Sequence, residues 1–269
     1  MDYRSIEYED MGAIVRLWHN RPDVGNAQDQ DLLLELEDGL ARTARDDKVR
    51  VVIIAGRGKH FSSGHDIKEG YANRRDQTPE QRYEWESRFY YDLSMKIWDH
   101  PRPTIAQVQG ACIAGGFMTA NVCDMIVAAE NAFFSEPVIH SMAIDSVEVL
   151  IHPWVMNHRK AKEFILTGMR LSAAEALQLG MVNHVVPLDK LEETTMQLAR
   201  RIAEAPPFVA RMVKRSINRT LDIQGLRGAL QAHFDSHQLT HGTQECRDTV
   251  SKAGTAGMID KGKQRATGA

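Results

Sequence analysis

The sequence predicts an α/β domain followed by a helical C-terminal region. Short β-branched runs alternate with amphipathic helical patterns in the first part of the chain, and from Ser172 the pattern turns helical. An apolar content of 43% over 269 residues is ample for one large core. We therefore predict an α/β core over residues 1–200 and a helical region over residues 201–269 with a frayed tail.

The N-terminal half alternates between strands and helices. Runs with alternating or continuous β-branched character predict strands at 12–18, 51–56, 104–109 and 125–129. Leucines at helical spacing predict a helix at 28–45, and Thr78-Pro79-Glu80 begins an aromatic-rich helical segment that extends to Asp99. This order favours parallel strands joined by right-handed crossovers.

The C-terminal half is predicted to become helical. Asp145-Ser146-Val147-Glu148 has the spacing of a capped helix start, and Ser172 with Glu175 forms a second capping box. A short strand is expected at 182–186. The three amphipathic helices predicted after it are 188–204, 208–221 and 225–240.

Two turns between a strand and a helix, about fifty residues apart, carry the strongest functional signal. The first runs from Phe61 to Asp66 and leads into a helix that Asp66 caps. The second runs from Gly110 to the pair Gly115-Gly116. Glycines expose backbone N–H groups where a helix begins, which creates a site for a negatively charged oxygen. Each turn can offer one N–H to the same oxygen.

These residues resemble the crotonase (enoyl-CoA hydratase/isomerase) family. The pattern Phe-Ser-x-Gly-x-Asp-Ile at residues 61–67, the glycine turn at 110–116 and the Leu-Thr-Gly run at 166–168 carry the resemblance. It implies a spiral of ββα turns with two roughly perpendicular sheets. It also implies C-terminal helices that cover the active site and build a homotrimer or a dimer of trimers.

The resemblance further implies an acyl-CoA substrate in fatty acid metabolism, with coenzyme A as part of the thioester and no separate cofactor. The thioester carbonyl would lie between the N–H groups of His65 and Gly115. The two glutamates of hydratases in this family are replaced here by Met118 and Val138. Neither side chain transfers a proton, so we expect isomerase or C–C hydrolase/lyase chemistry rather than ordinary hydration.

Asp145 and His140 are the predicted acid–base groups. The register set by Leu166-Thr167-Gly168 places Asp145 where other family members carry a catalytic aspartate, although a helix cap is an equally open interpretation. His140 has a side chain suited to proton transfer at neutral pH, or it is a hydrogen-bonded core histidine. The His65 side chain either points away or enters the pocket. Glu148 is a further side chain that reaches inward if the helix forms.

Binding residues are predicted around the first turn. Arg21 and Lys68 match positions near the CoA phosphates in relatives, and Ser63 and Asp66 belong to the same turn. For Arg21 and Lys68 the alternative is a solvated surface charge. No metal site is predicted.

Charge and cysteine content limit the partners. The net charge of −3 gives no general attraction to nucleic acid or anionic membrane, so neither is predicted as a partner. The sequence predicts no membrane span and no signal peptide, which leads us to expect a cytoplasmic protein with three reduced cysteines.

Three functions remain open at this point. The first is an acyl-CoA enzyme that proceeds through a stabilised enolate. The second is a non-catalytic CoA-ester-binding protein that keeps the two amides but lacks the acids. The third is a CoA-independent β-diketone C–C hydrolase.

Overall fold

The computed structural model describes residues 3–267, without the side chains of residues 266 and 267. Within that range the strands are β1 (Ile6–Asp10), β2 (Ile14–His19), β3 (Val51–Gly56), β4 (Thr104–Val108), β5 (Ala111–Ile113), β6 (Met125–Ala129), β7 (Phe133–Ser135), β8 (Arg170–Ser172) and β9 (His184–Val186). They form a six-stranded sheet in the order β1-β2-β3-β4-β6-β9 and a three-stranded sheet in the order β5-β7-β8.

The large sheet is mostly parallel. Only β1 and β2 pair antiparallel, while every other neighbouring pair is parallel. Strand β3 is fully buried, as its continuous β-branched sequence requires, because helices cover both faces of a parallel sheet. The alternating side chains of this strand therefore enter two separate hydrophobic clusters, one on each face.

The chain moves from the large sheet to the small sheet at Gly110. This residue has a φ of 57°, in the left-handed region, and it joins β4 to β5. Strand β5 then pairs parallel with β7, and β7 pairs antiparallel with β8. In sequence, the glycine turn therefore follows a strand of the small sheet and comes directly before helix Gly115–Asn121, after which the chain returns to the large sheet at β6.

The helices surround these sheets. They are α1 (Gln30–Arg45), α2 (Ile67–Arg74), α3 (Pro79–Glu86), α4 (Asp92–Trp98), α5 (Gly115–Asn121), α6 (Val138–Ser141), α7 (His152–Val155), α8 (His158–Thr167), α9 (Ala173–Gln178), α10 (Leu191–Ala203), α11 (Pro207–Ile223), α12 (Leu226–His241) and α13 (Gln244–Thr267). A π-helical turn, Ser87–Tyr91, joins α3 to α4. Helix α13 is interrupted at Gly254, where φ is 59°.

The predicted fold class is confirmed: the chain is α/β with two sheets and a C-terminal helical region. The helix predicted to begin at Asp145 is wrong, because Ser146 has a φ of 48° and residues 142–151 form no helix. The tail after Ala253 is helical to Thr267, and its fraying stays a prediction. The division at residue 200 stays a prediction.

Candidate active site

The two turns lie side by side in register. Ser62 and Cys112 form a parallel bridge, in which the Ser62 N–H donates to Ala111 at 3.1 Å and the Ile113 N–H donates to the Ser62 carbonyl at 3.0 Å. His65 and Gly115 each lie three residues beyond this bridge, one in each turn. A Cβ on Gly64 would lie 3.2 Å from the Gly115 amide nitrogen, so the two turns are in contact at the predicted pair of amides.

The backbone directions leave the two amides free. Gln28 bridges to His65 in parallel fashion, so its bonds go to the Gly64 carbonyl at 2.8 Å and the Asp66 N–H at 3.0 Å. In a parallel ladder the bridged residue itself points its N–H to the opposite side. Within residues 3–267, neither the His65 N–H nor the Gly115 N–H has a hydrogen-bond acceptor.

The residue before Gly115 is strained. Ala114 has a φ of 47° and a ψ of −112°, a conformation that costs a non-glycine residue free energy. Its N–H donates to the Ser135 carbonyl at 3.0 Å, which fixes the turn to the small sheet. The strained turn allows helix α5 to begin at Gly115 with an unpaired N–H, and helix N-termini favour negative charge.

The His65 imidazole lies over the second turn. Two of its ring atoms would be 2.5 Å from a Cβ placed on Gly115, and the ring stacks on Tyr90 with centroids 3.7 Å apart. The side chain is 20% exposed. Burial lowers the pKa of His65 below the usual value, so the ring is neutral at pH 7. The interpretation in which this side chain enters the pocket is therefore the one that the geometry favours.

A cavity of about 440 Å³ opens beside this ring. Its walls come from the first turn and α2, the end of α3, the segment 138–148, helix α12 and helix α13. The ionisable and polar side chains in its wall include His65, Ser146, Glu148, Glu86, His237 and His241.

Glu148 is the carboxylate of the cavity wall that lies beside the His65 imidazole. Its Oε2 lies 3.7 Å from His65 Nε2, and both atoms are buried without a hydrogen-bond partner within the described chain. Burial raises the pKa of Glu148 to about 7, against the opposing charge of His237. Unsatisfied buried polar atoms of this kind are rare in proteins and are frequent at functional sites.

Helix α12 holds the loop that carries Glu148. His233 Nε2 pairs with the Val147 carbonyl at 2.8 Å, and His237 Nδ1 with the Asp145 carbonyl at 3.0 Å. The Asp145 N–H donates to the Thr240 hydroxyl at 3.0 Å. These three contacts replace the helical hydrogen bonds that the loop lacks, so its position depends on a helix almost a hundred residues away.

Glu86, His237 and His241 form a compact buried group beside Glu148. Glu86 Oε2 lies 3.3 Å from His237 Nε2 and 3.5 Å from His241 Nε2. Burial alone would lower the pKa of His237, but the hydrogen bond to Glu86 and the charge of Glu148 raise it to about 9. A cationic His237 therefore lies between two carboxylates when no other cation is present.

A profile of the enoyl-CoA hydratase/isomerase family matches residues 9–265. The chain belongs to this family. EchA13 of Mycobacterium tuberculosis, which is named as a putative enoyl-CoA hydratase, is 38% identical, and the match covers 89% of this chain and 81% of that protein.

Solved structures agree with the family assignment. A crystal structure of an enoyl-CoA hydratase/isomerase from Xanthobacter autotrophicus Py2 is 33% identical, covers 99% of both chains and has a TM-score of 0.91. One from Mycobacterium thermoresistibile, titled as a probable enoyl-CoA hydratase, is 43% identical, covers 92% of this chain and 99% of that one, and has a TM-score of 0.84. Family enzymes act on CoA thioesters without a metal or other cofactor.

Asp145 and His140, the two predicted acid–base groups, do not line the cavity. The Asp145 side chain is 44% exposed, is absent from the cavity wall and has its Oδ2 3.7 Å from His233 Nδ1. His140 Nε2 pairs with the Leu166 carbonyl at 3.0 Å, outside the wall as well. The catalytic roles given to Asp145 and His140 stay predictions, and the structure brings only His65 and Gly115 together.

The predicted binding residues surround the first turn. Arg21 bridges Asp29 at 2.9 Å and Asp66 at 3.2 Å, while the other carboxylate oxygen of Asp66 caps α2 through the N–H groups of residues 68 and 69. Lys68 is exposed, and so is Ser63, whose hydroxyl donates to the Val24 carbonyl at 3.4 Å. Arg21 and Asp66 thus have structural partners, whereas Lys68 remains available to a ligand; CoA binding by these residues stays a prediction.

The hydratase positions are apolar in the structure as well. Val138 begins α6 and lines the cavity, and Met118 is buried in α5 within the larger core cluster. Glu136, two residues before Val138, is fully buried and has no place in the cavity wall. Burial raises the pKa of Glu136 well above its usual value. Because its side chain lies outside the cavity wall, Glu136 does not take the place of Val138.

Sequence analysis missed the group on α12. His233, His237 and His241 recur every four residues, which places them on one face of a helix, and this spacing was the available signal. Glu86 had no comparable signal, because only folding brings it next to α12.

Within the described residues, no helix is long and apolar enough to cross a bilayer.

Proposed function

We propose that this chain is an acyl-CoA enzyme that moves a proton at the carbon beside the thioester, as an isomerase or a C–C hydrolase/lyase, with Glu148 as the acid–base group. One observation carries the proposal: the Glu148 carboxylate lies 3.7 Å from the imidazole of His65, and the backbone N–H groups of His65 and Gly115 are unbonded within the described residues, at a site where the hydratase positions are Met118 and Val138.

The amides supply the electrostatic part of the chemistry. A thioester carbonyl oxygen between the His65 and Gly115 N–H groups accepts two hydrogen bonds. Both bonds strengthen as negative charge develops on that oxygen, which stabilises an enolate. Because the donors are fixed by the ladder to Gln28 and by the start of α5, they need no rearrangement during the reaction.

Glu148 supplies the proton-transfer part. Its Oε2 lies 3.7 Å from Nε2 of the His65 ring, and that ring lies against Gly115, so the proposal places the carboxylate beside the substrate carbon next to the thioester. A single carboxylate can remove a proton from one carbon and return it to another, as an isomerase requires. Hydration in this family uses two glutamates, and neither matching position retains one.

Two variants test the assignment of the acid–base group. Glu148→Gln keeps the shape of the side chain and should lower kcat by about 10²- to 10⁴-fold on the acyl-CoA that the wild type turns over, with acyl-CoA affinity within a few fold. Asp145→Asn should lower kcat by less than about tenfold, because its carboxylate lies outside the cavity wall. The reverse order would move the role to Asp145.

Binding and turnover by the wild type separate the remaining functions. Calorimetric titration with a panel of acyl-CoA esters, followed by product analysis, should show both binding and conversion. Binding without conversion would identify a CoA-ester-binding protein. Conversion of a β-diketone with no affinity for any CoA ester would identify the CoA-independent hydrolase.

A further inference from the structure

Three potential metal ligands converge in the wall of the cavity. Glu86 Oε2, His237 Nε2 and His241 Nε2 form a triangle with sides of 3.1, 3.3 and 3.5 Å. A tetrahedral zinc ion with bonds of about 2.0–2.1 Å holds its ligand atoms about 3.3–3.4 Å apart. The triangle therefore already has the dimensions of one face of a zinc coordination sphere.

The imidazole of His237 is oriented as in a metal ligand. Its Nδ1 donates to the carbonyl oxygens of Asp145 at 3.0 Å and Ser146 at 3.2 Å, so Nε2 of the neutral ring presents its lone pair to the triangle. Histidines that bind metals usually donate their other N–H to a backbone carbonyl or a carboxylate in this way.

The carboxylate of Glu86 is also held in place. Gln238 Nε2 donates to Glu86 Oε2 at 2.6 Å, and Arg82 lies 3.5 Å from the second carboxylate oxygen. The residue ends α3 directly before the π-helical turn, and such turns occur often at functional sites. Fixed outer contacts of this kind reduce the free energy that metal binding spends on ordering its ligands.

The charge around the triangle favours a cation. Glu86 and Glu148 are both buried, and His237 Nε2 lies 3.3 Å from the first and 3.7 Å from the second. A divalent ion bound by neutral imidazoles would offset two carboxylates, where one imidazolium offsets only one of them.

We propose that Glu86, His237 and His241 bind a divalent transition-metal ion of the zinc class, with the remaining coordination position open to the cavity. Two histidines and one glutamate are a common ligand set for zinc, and three protein ligands leave room for water or a substrate oxygen. Since family enzymes work without a metal, this site would be an addition to the family's chemistry. It stands on the triangle alone and not on the acyl-CoA chemistry.

Zinc titration of the chelator-treated full chain tests the proposal. Calorimetry with Zn²⁺ and the visible absorption of bound Co²⁺ should show one ion per chain. His237→Gln and His241→Gln should each weaken binding by at least about 100-fold, since losing a ligand exceeds the 10- to 100-fold effect of losing an outer partner. Zn²⁺ should raise the Tm of the wild type and leave the Tm of both variants unchanged.

His233→Gln is the matched control, because His233 lies one turn earlier on the same helix and pairs with the Val147 carbonyl instead of the triangle. Its zinc affinity should stay within a few fold of the wild type. Glu86→Gln, which keeps an oxygen for Gln238, serves if a histidine variant fails to fold. A wild type that binds no Zn²⁺ at micromolar concentration overturns the proposal, and so does binding that survives all three ligand substitutions.

Acyl-CoA titration of the same metal-free preparation keeps the two proposals apart. Acyl-CoA binding and turnover with no zinc site would contradict the metal centre alone. A zinc site in a chain that binds no acyl-CoA would contradict the proposed function alone.

Discussion

The two halves of the site are built in different ways. The hydrogen-bonding half consists of backbone amides in residues 62–66 and 110–116, which pair with each other and with Gln28. The side-chain half consists of Glu86, Glu148 and His237, which come from α3, an irregular loop and α12. Each turn of the first half has a short sequence pattern of its own, whereas the residues of the second half share no pattern and meet only in the folded chain.

The two halves determine different aspects of the chemistry: the amides set the class of reaction, and the side chains set which reaction of that class takes place. Two converging amides stabilise charge on a carbonyl oxygen whatever happens at the neighbouring carbon. Which proton moves depends on the side-chain half, where this chain has Met118 and Val138 in place of two glutamates and Glu148 in the cavity wall. A family can therefore keep the turns and change its chemistry through distant residues.

The largest expected effect within the hydrogen-bonding half comes from Gly115. A Cβ on Gly115 would approach the His65 ring to 2.5 Å and lie closer still to Gln28 Oε1, so Gly115→Ala must displace the turn. Losing one such donor lowers kcat by about 10²- to 10³-fold. Steady-state kinetics on the acyl-CoA turned over by the wild type should show this loss.

Gly228→Ala is the matched control for that substitution. Gly228 lies in α12, and a Cβ there would meet no atom within 4 Å. It should keep wild-type kcat and gain slightly in stability from the better helix former. Full activity in Gly115→Ala would show that the amide of this residue is not part of the site.

The same contrast explains what the sequence could predict. The strand β3, the cap at Asp66 and the two turns follow from short-range patterns, and the structure contains all of them. The four-residue capping pattern at Asp145 was misleading, because contacts from α12 hold that segment in a non-helical loop. Tertiary contacts overrode local propensity there.

Short strands of the small sheet were missed for a related reason. β5, β7 and β8 contain only three residues each, too few for a periodic pattern to be recognised. The histidine spacing on α12 was visible but has meaning only beside Glu86, and the chain separates the two by about 150 residues.

His100 lies outside the side-chain half, and its pKa is shifted in the opposite direction to that of His237. Burial lowers the pKa of His100 to about 4 from 6.5. Between these values the unfolded chain binds more protons, so stability rises with pH and is lost as the pH falls below about 6.5. At pH 5 this one residue should cost about 2 kcal/mol. Urea unfolding should show that the free energy of unfolding of His100→Gln falls less between pH 7 and pH 5 than that of the wild type. The difference between the two losses should be about 2 kcal/mol.

The exposed residue His184 provides the comparison for that measurement. His184→Gln should keep the full pH dependence of the wild type. An unchanged pH dependence in His100→Gln would mean that this ring is protonated in the folded chain despite its burial, through its contact with the Leu40 carbonyl.

The smallest expected effect lies at the start of α3, the helix that carries Glu86. The Thr78 hydroxyl accepts from the Gln81 N–H at 3.3 Å, and the Gln81 side chain accepts from the Thr78 N–H at 3.0 Å. Thr78→Ala removes half of this capping box and should lower the free energy of unfolding by about 1 kcal/mol, while Thr78→Ser should keep it.

Hydrogen exchange of the same variant would show whether the two halves are independent. Amides of residues 79–86 should exchange faster in Thr78→Ala, because the first turn of α3 frays when its N–H groups lose their acceptor. Amides of residues 62–66 should exchange as in the wild type, since their ladder runs to Gln28 and β5 and not to α3. Faster exchange in both segments would mean that the turns depend on the side-chain half, and that the site folds as one unit.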